Sequence, residues 1–268
     1  MKEVKLGQSI GIFPFGQPVQ VLVQEDRSPK QVFVLGVYAS AVHARWVGND
    51  NKVIVKALAV ASEPEIFWRG DDAETIIRNI TIPDGLGILE AASRQFNGPS
   101  GMALDDYFLN PLGLSRDDAW LCDLVPHSCM NQQQKDAIER SYIPLMQQNN
   151  LPEPSLPNVP SKLSDETRRS EIFDEIHESK ADILILLGDQ PIKWFLQFYD
   201  SRWQRLSDFG DDPKSYGQLH DVNIGGKMMR VLPLAHPRQV ARLGLSSQHW
   251  HSLHQSWLQE YARKVFNG

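Results

Sequence analysis

The sequence predicts an α/β protein, a three-layer α/β/α sandwich around a central, mostly parallel sheet. Three observations predict it. Short apolar runs at Val32–Leu35, Trp120–Val125, Ile183–Leu187 and Val231–Ala235 are continuous rather than alternating. Runs of that length, rich in Val, Ile and Leu, fit strands covered on both faces. Segments with helical spacing fall between them, and strands alternating with helices argue for a wound parallel sheet. Finally, 41% of the 268 residues are apolar, enough for a sizeable core.

The remaining elements follow in chain order. Val19–Val23 and Val53–Val60 alternate or mix polar residues and are expected to add edge strands. Asn149–Lys162 reads NNLPEPSLPNVPSK. Its prolines forbid a helix or an interior strand, so it is expected to be a long loop inside a single domain spanning residues 1–268. Thr167–Ser179 carries Ile172, Phe173 and Ile176 on one helical face. Gln190–Tyr199 opens with Pro191, which suits a first helical turn. Gly225-Gly226 reads as a hairpin turn before the last strand. From about Ser247 to Phe266, Trp250, Leu253, Trp257, Leu258, Tyr261 and Val265 recur at helical spacing.

Composition limits the function classes. Net charge is −6, so any contact with nucleic acid has to run through a local basic patch. Two cysteines, Cys122 and Cys129, make no disulfide framework. No segment resembles a signal peptide and no apolar run is long enough to span a bilayer, so a reducing cytoplasm is the expected location, with no membrane partner. His249, His251 and His254 resemble a metal cluster on paper, but on one helix His249 and His251 point nearly oppositely, so no metal is expected there. Cys122 reads as a small core residue, and Arg168-Arg169 as a solvated helix face.

In open parallel sheets, ligands bind beyond the carboxyl ends of the strands. That rule directs attention to Gly36-Val37-Tyr38-Ala39-Ser40, to Asp123 with Pro126-His127-Ser128, to Gly188-Asp189-Gln190-Pro191, and to His236-Pro237-Arg238-Gln239-Val240. Asp123 stands out because a carboxylate within an apolar strand is costly without a partner, so it is either paired structurally or part of a site.

These ends read VFVLGVYAS, WLCDLVPHSCMN, ILILLGDQP and VLPLAHPRQVARLG, and Phe96-Asn97-Gly98-Pro99-Ser100-Gly101 precedes LDDYFLNPLGLSRDDAWL. In that order and spacing, over roughly residues 30 to 245, the chain resembles the uracil-DNA glycosylase superfamily. The pattern is nearest to the iron–sulfur-containing and related bacterial branches, which have a Phe-x-Gly-x-x-Gly segment before a helix and then Gly-Leu-x-Arg. The four cysteines that hold the cluster in one of those branches are absent as a set, so no cofactor is expected.

The resemblance implies a hydrolase that takes a base out of the DNA stack and cleaves its N-glycosidic bond. It assigns the leaving-group donor to His236, followed by Pro237, and the stacking aromatic to Phe96. Gly36 matches the first glycine of the water-activating loop. Val37 and Tyr38 stand where the family has Asp, Glu or Asn, which predicts little or no release of uracil. The base-reading asparagine falls at Asp123. An ionised Asp offers only acceptors, so two adjacent donors, as on guanine, would suit it better than uracil. Arg238 and Arg242, with Val240 as a small apolar wedge, are the expected nucleic-acid contacts. The expected partner is DNA or a nucleobase-containing ligand. Two readings remain: a base-excision hydrolase of altered specificity, or a binding module that recognises a base, nucleotide or nucleic-acid end without cleaving it.

Overall fold

The computed structural model describes residues 9–241 and 248–266. In chain order the strands are β1 (Val32–Tyr38), β2 (Ala41–Val47), β3 (Val53–Ser62), β4 (Ile88–Ala91), β5 (Ala119–Val125), β6 (Ile183–Leu187), β7 (His220–Ile224) and β8 (Lys227–Leu234). The α-helices are α1 (Ala73–Arg78), α2 (Pro99–Leu104), α3 (Gln132–Ala137), α4 (Ile143–Asn149), α5 (Glu166–Ser179), α6 (Asp189–Trp194), α7 (Pro237–Val240) and α8 (Gln248–Glu260). No helix among the described residues is long and apolar enough to cross a membrane.

The chain divides into two compact units, each drawn from three segments. The first comprises Met1–Val23, Tyr38–Pro99 and Pro126–Pro160; the second comprises Gln24–Val37, Ser100–Val125 and Ser161–Gly268. The two units interleave along the chain, and the proline-rich stretch expected as a loop within one domain runs up to the passage from the first unit to the second at Pro160–Ser161.

The second unit is of the predicted α/β class: a mixed, mostly parallel five-stranded sheet, order β5-β1-β6-β8-β7, flanked by helices and consistent with a three-layer α/β/α sandwich. β1 runs parallel to β6, with Leu35 opposite Leu186, and β6 runs parallel to β8, with Leu187 opposite Leu234. β5 runs the same way as β1: the Gln31 N–H meets the Asp118 carbonyl at 2.9 Å at their starts, and Val37 meets Asp123 at their ends. Every residue of β5 and β6 is buried, which is why those strands read as near-continuous apolar runs, interrupted in β5 by Asp123 alone. β7 joins β8 antiparallel through Gly225 and Gly226 at φ +59° and +96°, the pair of positive values that a tight two-residue hairpin turn requires. Phe33 stacks on Trp120 with centroids 6.4 Å apart, and α8 buries Leu253, His254 and Trp257. The helix predicted over Gln190–Tyr199 stops at Trp194; Phe195, at φ −126° and ψ −66°, breaks it before a short 3-10 turn.

The first unit has its own antiparallel sheet, order β3-β2-β4. Val53–Val60 is therefore an edge strand as expected, forming β3 at one side of this antiparallel sheet. Val19–Val23 forms no strand, only an isolated bridge between Val21 and His127. Its amides go to scattered partners, Val19 N–H to Gly11 O and Leu22 N–H to Pro126 O, so no ladder develops. Phe15, Trp46 and Tyr142 meet edge-on or tilted at 5.1–6.4 Å in this unit's core. The Tyr142 hydroxyl accepts the Phe15 N–H at 3.0 Å and donates to the Pro152 carbonyl at 2.8 Å. The Ser155 N–H donates to Ile12 and the Pro157 carbonyl accepts the Met130 N–H, so the proline-rich loop is an ordered connection held by its own backbone groups.

Candidate functional site

Parallel pairing decides which predicted residues share an edge. Since β1, β6 and β8 run together, Gly36 near the end of β1 lies at the carboxyl edge at which Gly188 and Ala235-His236 leave the sheet, joined there by Asp123 near the end of β5. Gly36, Val37, Asp123, His236 and Pro237 are thus gathered at one edge of the second unit's sheet. Phe96 and Tyr38 belong to the first unit. Phe96 is half-buried there, its ring tilted at 44° to His43 with centroids 6.3 Å apart; Tyr38 is 39% exposed.

Asp123 is 4% exposed. Burial raises its carboxyl to about 7, opposed by the positive charge of Arg168 and by the Val37 N–H, which donates to it. Arg168 does not grip the carboxyl. Its guanidinium donates to the backbone carbonyls of Leu124 (3.2 Å) and Asp123 (2.8 Å), to Cys122 Sγ (3.2 Å) and to Glu171 (3.0 Å). The expectation of a solvated face is therefore overturned for Arg168: it is mostly buried and satisfies the carbonyls at the end of β5. Cys122 is a buried core thiol as predicted, and burial pushes its pKa well above the ordinary value.

The effect on Asp123 is chemical. Near neutrality its carboxyl exists in both forms. Ionised, it offers only acceptors; protonated, it offers a donor beside an acceptor, as a side-chain amide does.

His236 is the N-cap of α7, with Pro237 at the first helical position. Its Nδ1 accepts the Arg238 N–H at 3.2 Å, and its own N–H donates to Gln239 Oε1 at 3.1 Å. An Nδ1 that accepts cannot carry the proton of a neutral ring, so the proton sits on Nε2. Burial, reinforced by the charge of Arg238, lowers the imidazole to about 4, so at neutral pH it is an uncharged Nε2–H donor. Gly188 lets this loop close. At φ +89° and ψ −172° it adopts a backbone that side chains avoid, and a Cβ there would stand 3.0 Å from His236 Cβ.

The predicted nucleic-acid contacts fare unevenly. Arg238 is exposed. Arg242 lies outside the described residues. Val240 is fully buried, so the wedge role is corrected: as the segment stands its side chain has no surface to present, because α7 turns it into the core.

The motif residues of the glycine-rich stretch have structural work. Within the first unit, the Asn97 side chain accepts the His43 N–H at 2.8 Å and donates to the His43 carbonyl at 2.9 Å, extending the ladder beside β2. Gly98 passes against the Arg69 backbone, where a Cβ would meet the carbonyl carbon at 2.0 Å. Within the second unit, Arg116 pairs with Asp105 at 2.8 Å and donates to the Gly101 carbonyl at 3.2 Å.

Tyr216 and His254 lie outside the strand-end loops that the sequence singles out. Both are buried, and they are hydrogen-bonded to each other at 2.8 Å. His254 stood out in the sequence only as part of a histidine group; nothing in the sequence signals Tyr216. Among the described residues no group of His, Cys, Asp and Glu side chains is disposed to hold a metal. No protein-family model matches the chain, and no curated protein matches it in sequence.

Proposed function

We propose that the carboxyl edge of the second unit's sheet recognises a nucleobase, and that the protein is a DNA base-excision hydrolase acting on a base other than uracil. The observation that carries this reading is that one sheet edge holds both His236, presenting a single Nε2–H donor, and the buried Asp123 carboxyl. Cleaving a base from deoxyribose leaves negative charge on the departing ring, and a preorganised neutral donor stabilises that charge without moving. Three strand spacings of roughly 4.8 Å separate β5 from β8, about 14 Å between backbones, which less two side chains suits one planar base. Protonated Asp123 would pair with an oxo group, and ionised Asp123 with ring or amino N–H groups.

A second reading, binding without cleavage, is favoured by Val37 and Tyr38. The Val37 side chain has no polar group to hold a water for attack on the sugar, Tyr38 carries a phenol where a carboxylate or amide is expected, and the Val37 amide is already engaged with Asp123. One experiment separates the two. The purified protein is incubated with oligonucleotides that each carry a single altered base, and scission after alkali is read. Scission at an altered purine or pyrimidine, with little at uracil, is the expected outcome. Saturable binding with no scission at any base would leave only the binding module. Neither binding nor scission would overturn both readings.

A further inference from the structure

His236 can act as a directed donor only if its backbone is held still, and the group holding it lies outside the site residues named so far. The last pair in the parallel ladder joins Leu187 to Leu234, so the Ala235 amide is the first beyond it. That amide donates to the Tyr216 hydroxyl at 2.9 Å. The same hydroxyl meets His254 Nδ1 at 2.8 Å, and His254 Nε2 meets the Tyr107 carbonyl at 2.8 Å.

The polarity of this chain follows from what each group can do. A backbone carbonyl only accepts, so His254 Nε2 carries the ring proton. In a neutral ring Nδ1 then accepts, and Tyr216 must donate to it. The Tyr216 oxygen is left to accept from Ala235. Burial keeps His254 neutral by lowering it to about 4, and pushes the Tyr216 phenol above its ordinary range, so neither link is lost near neutral pH. Ala235, Tyr216 and His254 are all essentially inaccessible to water, so no solvent molecule would replace a missing partner.

We propose that Tyr216 and His254 are positioning residues for His236, acting through the Ala235 amide to hold the loop in which the imidazole is kept as the Nε2–H form. The proposal rests on the reading of His236 as the donor of the site, but its geometry does not. With the Ala235 amide released, the His236–Arg238 backbone is free to shift, the Arg238 N–H drifts from Nδ1, and the ring loses both its fixed tautomer and its burial.

The test reads His236 directly, in full-length protein without ligand, by long-range proton–nitrogen NMR of the imidazole. Wild type should give one protonated and one unprotonated ring nitrogen, titrating near 4. Tyr216→Phe keeps the ring but deletes the hydroxyl. The two nitrogen shifts should then converge and the titration should move toward 6.5. Should Tyr216→Phe fail to fold, His254→Leu and His254→Gln give the same comparison: Leu loses both hydrogen bonds, whereas Gln retains an acceptor and a donor and should restore the wild-type signature. A folded Tyr216→Phe or His254→Leu protein with unchanged His236 signals would overturn the proposal. If wild type binds no base yet Tyr216→Phe moves those signals, the functional reading fails and the positioning role stands.

Discussion

At the scale of single residues, burial of titratable groups dominates. Asp123 is neutral in both folded and unfolded chains below about 4. Between there and its folded value of about 7, the unfolded chain ionises freely while the folded one does not. Stability from this group therefore falls as pH rises through that window, by ~1.4 kcal/mol per pH unit and on the order of 4 kcal/mol in all. Three histidines act in the opposite sense. His43, His236 and His254 are each lowered to about 4, so their contribution is full above 6.5 and is lost as pH falls toward 4. Asp123→Asn removes only the first effect. Its stability relative to wild type should rise steadily from pH 4.5 to pH 7.5 in urea titrations, and a constant difference across that range would rule out a neutral Asp123.

At the scale of elements, the end of β6 is set by a backbone conformation that strains any residue but glycine. Gly188→Ala would force a Cβ against His236 in a backbone region that is almost exclusively glycine's, at a cost of about 1–3 kcal/mol. Gly113 is a useful contrast: it caps a short turn at φ +75° and ψ +21°, and nothing lies within 4 Å of a Cβ built there. Gly113→Asn should cost no more than a few tenths of a kcal/mol, since Asn tolerates this left-handed conformation. Denaturation midpoints measured side by side check both values; equal losses would mean that the Gly188 turn is not strained. Continuous apolar runs located β1, β5 and β6 in the sequence because those strands are buried on both faces. The edge strand β7 alternates, and only its glycine turn announced it. Val19–Val23 misled because β-branched residues alone do not supply a pairing partner.

At the scale of the whole molecule, a net charge of −6 opposes approach to a phosphate backbone, so any such binding would have to be local. Arg238 is exposed on α7 immediately after His236. If that face meets DNA, Arg238→Ala should weaken binding alike across sequences and lower the salt slope by about one unit, while His236→Ala leaves the slope intact and changes base preference. Affinities measured from 50 to 200 mM salt decide it, and an unaltered slope in Arg238→Ala would remove this face from the interface. Val240 is fully buried, so a contact through this face would be electrostatic and not a wedge into the stack.

The sequence by itself determined the α/β class, the strands buried on both faces, and the loops at which polar groups gather, because burial and periodicity are local properties written into consecutive residues. It also marked Asp123 and His236 through their position at strand ends. Tertiary structure decided the rest. The protonation of Asp123 depends on burial and on Arg168, which comes from a helix 45 residues further along the chain. The tautomer of His236 depends on one backbone amide, and its anchoring depends on Tyr216 and His254, which are 38 residues apart, with a carbonyl 147 residues from His254. The division into units interleaves three segments with three, which no linear composition shift can reveal. Such contacts are set by which distant groups the packed core brings within hydrogen-bonding range. The residues themselves are ordinary, and only their convergence gives them a role.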